Sequence, residues 1–379
     1  MMPSHRVPTL VAALLLLAIA PLVRAAGLPP VRHVFVIVLE NKSYETTFAP
    51  QSAAPYLARE LPAAGALLTQ YFAVGHYSLD NYIALISGQG PNEATQMDCP
   101  MFDEFRPSAA GLDEHGQLRG AGCVYPASVK TLPDQLRAAG FSWRAYMEDM
   151  GNDPGRERPT CAHVPLGAPD PTDGAQLGDQ YANKHDPFVY FHSLIDDQAG
   201  CDAHVVNLKA LAHDLQHLKS TPNYVFITPN LCNDGHDDPC VDRSQGGLPA
   251  MDAFLRKWVP QILASAAYRA DGMLVITFDE SGGLGGAASA ACCGERPLTG
   301  ARYAPGLSGP GGGRVGAVVL SRFVRPGTVS AEPYNHYSLL ATIEELFGLS
   351  YLGFAGAPDL KHFGADVFSA AAAPRPRAQ

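Results

Sequence analysis

The sequence predicts an α/β fold built on a mostly parallel β-sheet with helices on both faces. Three observations predict it. Residues 33–39 (HVFVIVL) and 273–278 (MLVITF) are unbroken apolar runs, as strands buried on both faces require. Strand-like and helix-like segments alternate along the chain. Polar residues follow the apolar runs at once, where ligands gather in open α/β sheets.

The elements are expected in this order. The run 33–39 is a strand, 54–64 has helical spacing, and 66–74 reads as a second strand. A helix is under way by 81–87. Residues 132–139 read as helix, 141–147 as strand, and 224–228 as a short buried strand ending in Pro229-Asn230. Residues 248–268 form a long amphipathic helix. The run 273–278 is the clearest inner strand, 315–320 is a further strand, and 337–347 is a helix closed by Gly348. Two stretches break the pattern, 95–130 and the glycine-rich 282–313. Both are long enough to be functional insertions. The Ala/Pro/Arg-rich residues 370–379 read as a flexible tail.

Composition bounds the class. The 379 residues are 46% apolar and 17% charged, ample for a large core. The formal net charge is −10, with no basic run interleaved with aromatics, so no nucleic-acid partner is expected. Arg6 opens a basic n-region, and residues 11–22 form an apolar run too short to span a membrane. Val23-Arg24-Ala25 offers the small residues a signal peptidase reads. Residues 1–25 are therefore expected to be a cleaved signal peptide, and the mature protein secreted or periplasmic. No stable membrane insertion is expected.

Eight cysteines suit an oxidising compartment: Cys99, Cys123, Cys161, Cys201, Cys232, Cys240, Cys292 and Cys293. Cys232 and Cys240 are near enough to staple one loop. The adjacent Cys292 and Cys293 are expected to bond to two distant partners rather than to each other. None has zinc-finger spacing.

Five polar clusters fall at predicted strand ends or helix starts. They are Glu40 with Asn41; His76 with Ser78; Asn230, Asn233, Asp234, His236 and Asp237; Asp279 with Glu280; and His336. Oxygen donors from Glu40, Asn41, Asp279 and Glu280 suit one divalent metal: calcium, magnesium, manganese or zinc. Beside it, Ser78 would become a nucleophile, with free helix-start N–H groups to receive a phosphate. Asn81 can donate to a phosphoryl oxygen. His236 and His336 can protonate a leaving group. Each residue also has a bland role: Ser78 as an N-cap, Glu40-Asn41 as a turn, Asp279-Glu280 as a cap, His236 in a solvated turn, His336 as a first-turn histidine, His185 as a partner of a nearby carboxylate.

These residues, taken in order, resemble a known family. The pieces are Val38-Leu39-Glu40-Asn41-Lys42-Ser43, then Gly75-His76-Tyr77-Ser78-Leu79-Asp80-Asn81-Tyr82 with Ser87-Gly88. Asn183-Lys184-His185-Asp186-Pro187-Phe188 follows, then Pro229-Asn230 through His236-Asp237, Thr277-Phe278-Asp279-Glu280, and His336-Tyr337-Ser338 through Glu344. The chain resembles the bacterial phosphoesterase family of secreted acid phosphatases and phospholipases C, within the wider alkaline phosphatase superfamily. The resemblance implies a three-layer α/β/α sandwich in one catalytic domain, residues 26–369. It implies a nucleophile at Ser78 and a phosphoserine intermediate. It implies a metal shell of Glu40, Asn41, Ser78, Asp279 and Glu280, with His185, His236 and His336 about the phosphate; His76 and Asp237 are expected to bind substrate beside them. Tyr77 and Asp80 depart from the prolines of many relatives. Asp279-Glu280 stands where two-metal relatives have Asp-His, so one metal is expected and a second is not.

The implied substrate is a phosphate ester, a small molecule or a lipid headgroup. A phosphomonoesterase of acid-phosphatase type leads, and a phosphoinositide phosphatase is one form of it. A phospholipase C or other phosphodiesterase is the alternative. A non-catalytic exported protein that binds metal or phosphate is the reading from a different class.

Overall fold

The computed structural model describes residues 28–298 and 301–369. The expected signal peptide and the tail from residue 370 lie outside the described residues. Eight strands form the central sheet. They are β1 (His33–Leu39), β2 (Ala66–Leu68), β3 (Trp143–Met147), β4 (Val205–Asn207), β5 (Tyr224–Thr228), β6 (Gly272–Phe278), β7 (Ala317–Ser321) and β8 (Thr328–Ser330). Their order across the sheet is β8-β2-β7-β6-β1-β5-β3-β4. Only β7 runs against its neighbours; every other pairing is parallel.

The helices include α1 (Ser78–Ser87), α2 (Leu132–Ala138), α3 (Gly247–Ala264), α4 (Ala266–Asp271) and α5 (His336–Phe347), of which α1 and α5 carry site residues. Val36 of β1 stands in register with Phe226 of β5, so Phe35 faces the opposite side of the sheet. Phe35 meets Tyr268 of α4, and Phe226 meets Tyr82 of α1. Helices therefore cover both faces, as expected of an α/β/α sandwich. All seven residues of β1 are buried, which explains why its sequence shows no polar alternation.

Three expectations need correction. The strand expected over 66–74 is broken at Thr69-Gln70. Residues Tyr71–Phe72 leave the main sheet and pair with Tyr334–Asn335, just before α5. The helix expected over 248–268 is two helices. Ser265 is extended there, and its side chain caps α4 by accepting from Tyr268 N at 3.1 Å. Cys292 and Cys293 bond to each other, because Cys99–Cys123, Cys161–Cys201 and Cys232–Cys240 use the other six cysteines. Within the stretch 95–130 lies an antiparallel hairpin, Arg106–Leu112 with Leu118–Ala121.

α5 carries Glu344 into the core. One oxygen accepts from Leu352 N at 2.9 Å, and the other has no partner. Burial, partly offset by that bond, pushes its carboxyl up to about 9. A raised carboxyl pKa means the native state binds a proton that the unfolded chain releases, so stability falls as pH climbs from about 5 towards 9. Glu344→Gln should match the wild type near pH 5. It should exceed the wild type in Tm by several degrees near pH 9. Calorimetric scans at the two pH values check this, and equal melting at both would refute a neutral Glu344.

Candidate active site

The sheet register assembles the site. Leu39 and Phe278 are paired partners on adjacent parallel strands. The residues that follow them, Glu40 and Asp279, therefore emerge side by side. Asn41 takes a left-handed turn (φ 56°), which asparagine tolerates. Its backbone N–H donates to Asp279 Oδ1 at 3.1 Å. Glu40 N donates to the Asp234 carbonyl at 3.0 Å, which ties in the loop after β5.

Ser78 is the first residue of α1 and is buried. Its Oγ–H donates to Glu40 Oε1 at 2.5 Å. His185 approaches the same oxygen, with Nε2 at 2.6 Å, and its Nδ1 lies 3.6 Å from Asp234 Oδ2. The imidazole is stacked on Tyr82 of α1, with ring centroids 5.1 Å apart. Burial alone would raise the pKa of Glu40. The charge and hydrogen bond of His185, helped by His236 and Lys184, instead hold it well below the usual carboxylate range. Burial, and then repulsion from Glu40, pushes Asp279 and Asp234 well above it.

Donor atoms of Glu40, His185 and Asp279 lie within 4.8 Å of one another. Glu40 Oε2, Asp279 Oδ2 and Asp234 Oδ2 are buried without a hydrogen-bond partner. Unpaired buried carboxylate oxygens are costly, and a divalent cation would satisfy them. Two carboxylates and an imidazole suit such an ion. The trio shares Glu40 and Asp279 with the set expected from sequence and brings in His185, expected at the phosphate. Glu280 is not in the trio: its carboxylate pairs with His76 Nδ1. His76 Nε2 lies 2.7 Å from the Ala288 carbonyl, so the pair ties the site to the glycine-rich segment. Burial favours the neutral form of both.

His236 is the partly exposed histidine of the site, its side chain 43% accessible. Its Nδ1 lies 3.2 Å from Asp237 Oδ1 and 3.5 Å from Glu40 Oε2. The Asp237 hydrogen bond and the Glu40 charge raise its pKa to about 9.

Two expected roles do not fit the structure. His336 is fully buried, and burial lowers its pKa to about 4. Its Nε2 is 2.6 Å from the Asp279 carbonyl, and its Nδ1 is 3.1 Å from the Tyr71 hydroxyl. Both nitrogens are committed, Nε2 to the Asp279 carbonyl and Nδ1 to Tyr71, leaving none for a leaving group. Asn81 likewise has no free donor. Its Oδ1 accepts from Val74 N and Gly75 N, and its Nδ2 donates to the Gly75 and Tyr77 carbonyls. It clamps the loop that presents Ser78.

Sequence reasoning gave no role to Lys184, Asp98 or Asp80. Lys184 Nζ bridges Asp173 Oδ1 at 2.9 Å and Asp98 Oδ2 at 3.3 Å. Asp98 Oδ1 accepts from Leu79 N, supplying the N-terminal cap that Tyr77 does not. Asp80 is buried with neither oxygen partnered, against Gly75, where any Cβ would fall 2.5 Å from Asp80 Oδ2. Lys184 sits inside a segment already singled out beside His185; Asp98 lies in a stretch with no periodic signal.

A model of the Phosphoesterase family matches residues 48–350. The chain belongs to that family. The match takes in Ser78, His185 and Asp279 and begins after Glu40. Among relatives of this phosphoesterase is the "Phosphate-repressible acid phosphatase" of Penicillium chrysogenum, 28% identical over 344 residues. That alignment covers 87% of this chain and 65% of the relative, just under two thirds of its length. The "Phosphatidylinositol-3-phosphatase" of Mycobacterium tuberculosis is 25% identical, covering 90% of this chain and 86% of its own. A solved Vibrio parahaemolyticus protein described as in the alkaline phosphatase superfamily has a TM-score of 0.48 at 13% identity. It covers 86% of this chain and 69% of its own.

Asn81→Ala would strand the Val74 and Gly75 N–H groups. It should cost on the order of 2 kcal/mol, read as a lowered midpoint in urea denaturation. An unchanged midpoint would remove Asn81 as the loop clamp.

Proposed function

We propose that this protein is an exported, metal-dependent phosphoric ester hydrolase, an acid-phosphatase-like phosphomonoesterase with Ser78 as nucleophile. One observation carries the reading: Ser78 Oγ is hydrogen-bonded to Glu40, which itself belongs to a buried trio fit for a divalent cation. A divalent ion held by Glu40, His185 and Asp279 would offset the charge of the phosphoryl oxygens and lower the pKa of the Ser78 hydroxyl. The remaining roles belong to the chain. Glu40 orients the hydroxyl, and Asn81 and Asp98 fix the loop and helix start that present it. Ser78 passes its proton to Glu40 Oε1, the oxygen it already donates to, as Oγ attacks phosphorus in line and the bond to the leaving oxygen breaks. His236, protonated and partly exposed beside Glu40, gives that oxygen its proton. Water then cleaves phosphoserine and releases phosphate.

The relatives' names support a monoesterase. A phosphoinositide headgroup is the second reading, favoured by the mycobacterial relative, most of whose length is matched. The four disulfides support export.

The test is phosphate release from p-nitrophenyl phosphate. Chelation by EDTA should abolish it and a divalent ion restore it. Ser78→Ala should lower kcat by at least roughly 1,000-fold without changing Tm. Near-native turnover by Ser78→Ala would overturn the mechanism, and full activity in EDTA would overturn the metal.

A further inference from the structure

Three of the disulfides close loops in the chain, with sequence separations of 24, 40 and 8. The fourth joins sequence neighbours, Cys292 and Cys293. A cross-link stabilises largely by shortening loops of the unfolded chain, and more so when the loop is long. One between adjacent residues shortens none, so it contributes little to holding the fold. It is also the accessible one. Cys292 and Cys293 are half-buried, whereas the other six cysteines are buried.

Glu295 folds back on this pair. Gly294 between them takes a left-handed conformation (φ 73°) that suits glycine. One Glu295 oxygen accepts from Cys293 N at 3.0 Å. The other lies 3.9 Å from Cys292 Sγ and accepts from Asn335 Nδ2 at 2.8 Å. Both sulfurs and a Glu295 oxygen lie within 4.8 Å of one another. All three residues line a cavity of about 230 Å³ shared with Tyr337 and Phe354.

We propose that Cys292, Cys293 and Glu295 form a redox-gated site for a soft divalent cation such as zinc or cadmium. The disulfide keeps it closed, since bonded sulfurs carry no thiolate charge. A small dithiol opens it. The dithiol is oxidised to its own disulfide, its two hydrogens pass to the cysteines, and the Cys292–Cys293 bond becomes two thiols. Each thiol loses its proton as the cation binds. Two thiolates and a carboxylate are donors that zinc and cadmium accept, and water can fill the remaining position. Glu295 also holds Asn335, the residue that caps α5, so the site abuts the helix bearing His336.

The test is cadmium binding by the full chain, read from the ultraviolet thiolate-to-cadmium charge-transfer band. The protein is treated with a dithiol without denaturant, desalted anaerobically, and its free thiols are counted. The untreated protein should show no band. The reduced protein should show two thiols and a band that saturates at one equivalent of cadmium above the uptake of the untreated protein. The Cys292→Ser/Cys293→Ser protein, treated alike, should stay blank. Glu295→Gln should bind at least roughly 10-fold more weakly, as even lost outer-shell partners do. A band of wild-type size in the double-serine protein would assign the binding to another opened disulfide and overturn the proposal. So would a reduced wild type, its two thiols counted, that shows no band with cadmium.

Discussion

Glu40 is the constraint on which the rest of the site depends. A carboxylate this deeply buried is costly unless its oxygens find partners. Ser78 and His185 both approach Oε1, which leaves Oε2 buried without a hydrogen-bond partner. The helix start that carries Ser78, the turn that carries His185 and the strand end that carries Asp279 must all meet at this one side chain. The local conformations follow from that requirement: the left-handed Asn41, the clamped loop before α1, and the cap that Asp98 supplies from a distance.

The parallel sheet makes the convergence inexpensive. β5, β1 and β6 are adjacent and aligned, so the ends of β1 and β6 deliver Glu40 and Asp279 side by side, and the loop after β5 brings Asp234 to them. The groups that brace these residues come from chain farther along. The short pairing of Tyr71–Phe72 with Tyr334–Asn335 sets His336 against Tyr71 and the Asp279 carbonyl. His336 thus acts on the site by holding a backbone group in position.

How much of this was legible follows from how local each feature is. β1 and β5 were read to the residue, because strands buried on both faces show continuous apolar runs with sharp ends. The polar residues at those ends came with them, and so did Ser78 beside a helix start. The break inside 66–74 was not legible, since it depends on a partner strand more than 250 positions away. Side-chain direction was not legible either. Nothing in the order of residues says that Asn81 turns back on its own loop or that His336 faces a carbonyl. The ion pair of Lys184 with Asp98 joins two distant segments, and its residue types are unremarkable alone. The bond between Cys292 and Cys293 ran against the ordinary expectation that cysteines bridge separate segments.

The central claim is that Ser78 takes the phosphoryl group. Its most direct measurement is an acid-quenched turnover with a phosphate ester at saturating concentration, followed by peptide mapping of any covalent phosphate. A phosphorylated peptide with the group on Ser78 is the result this account predicts. Ser78 free of phosphate at every quench time throughout steady turnover would contradict it.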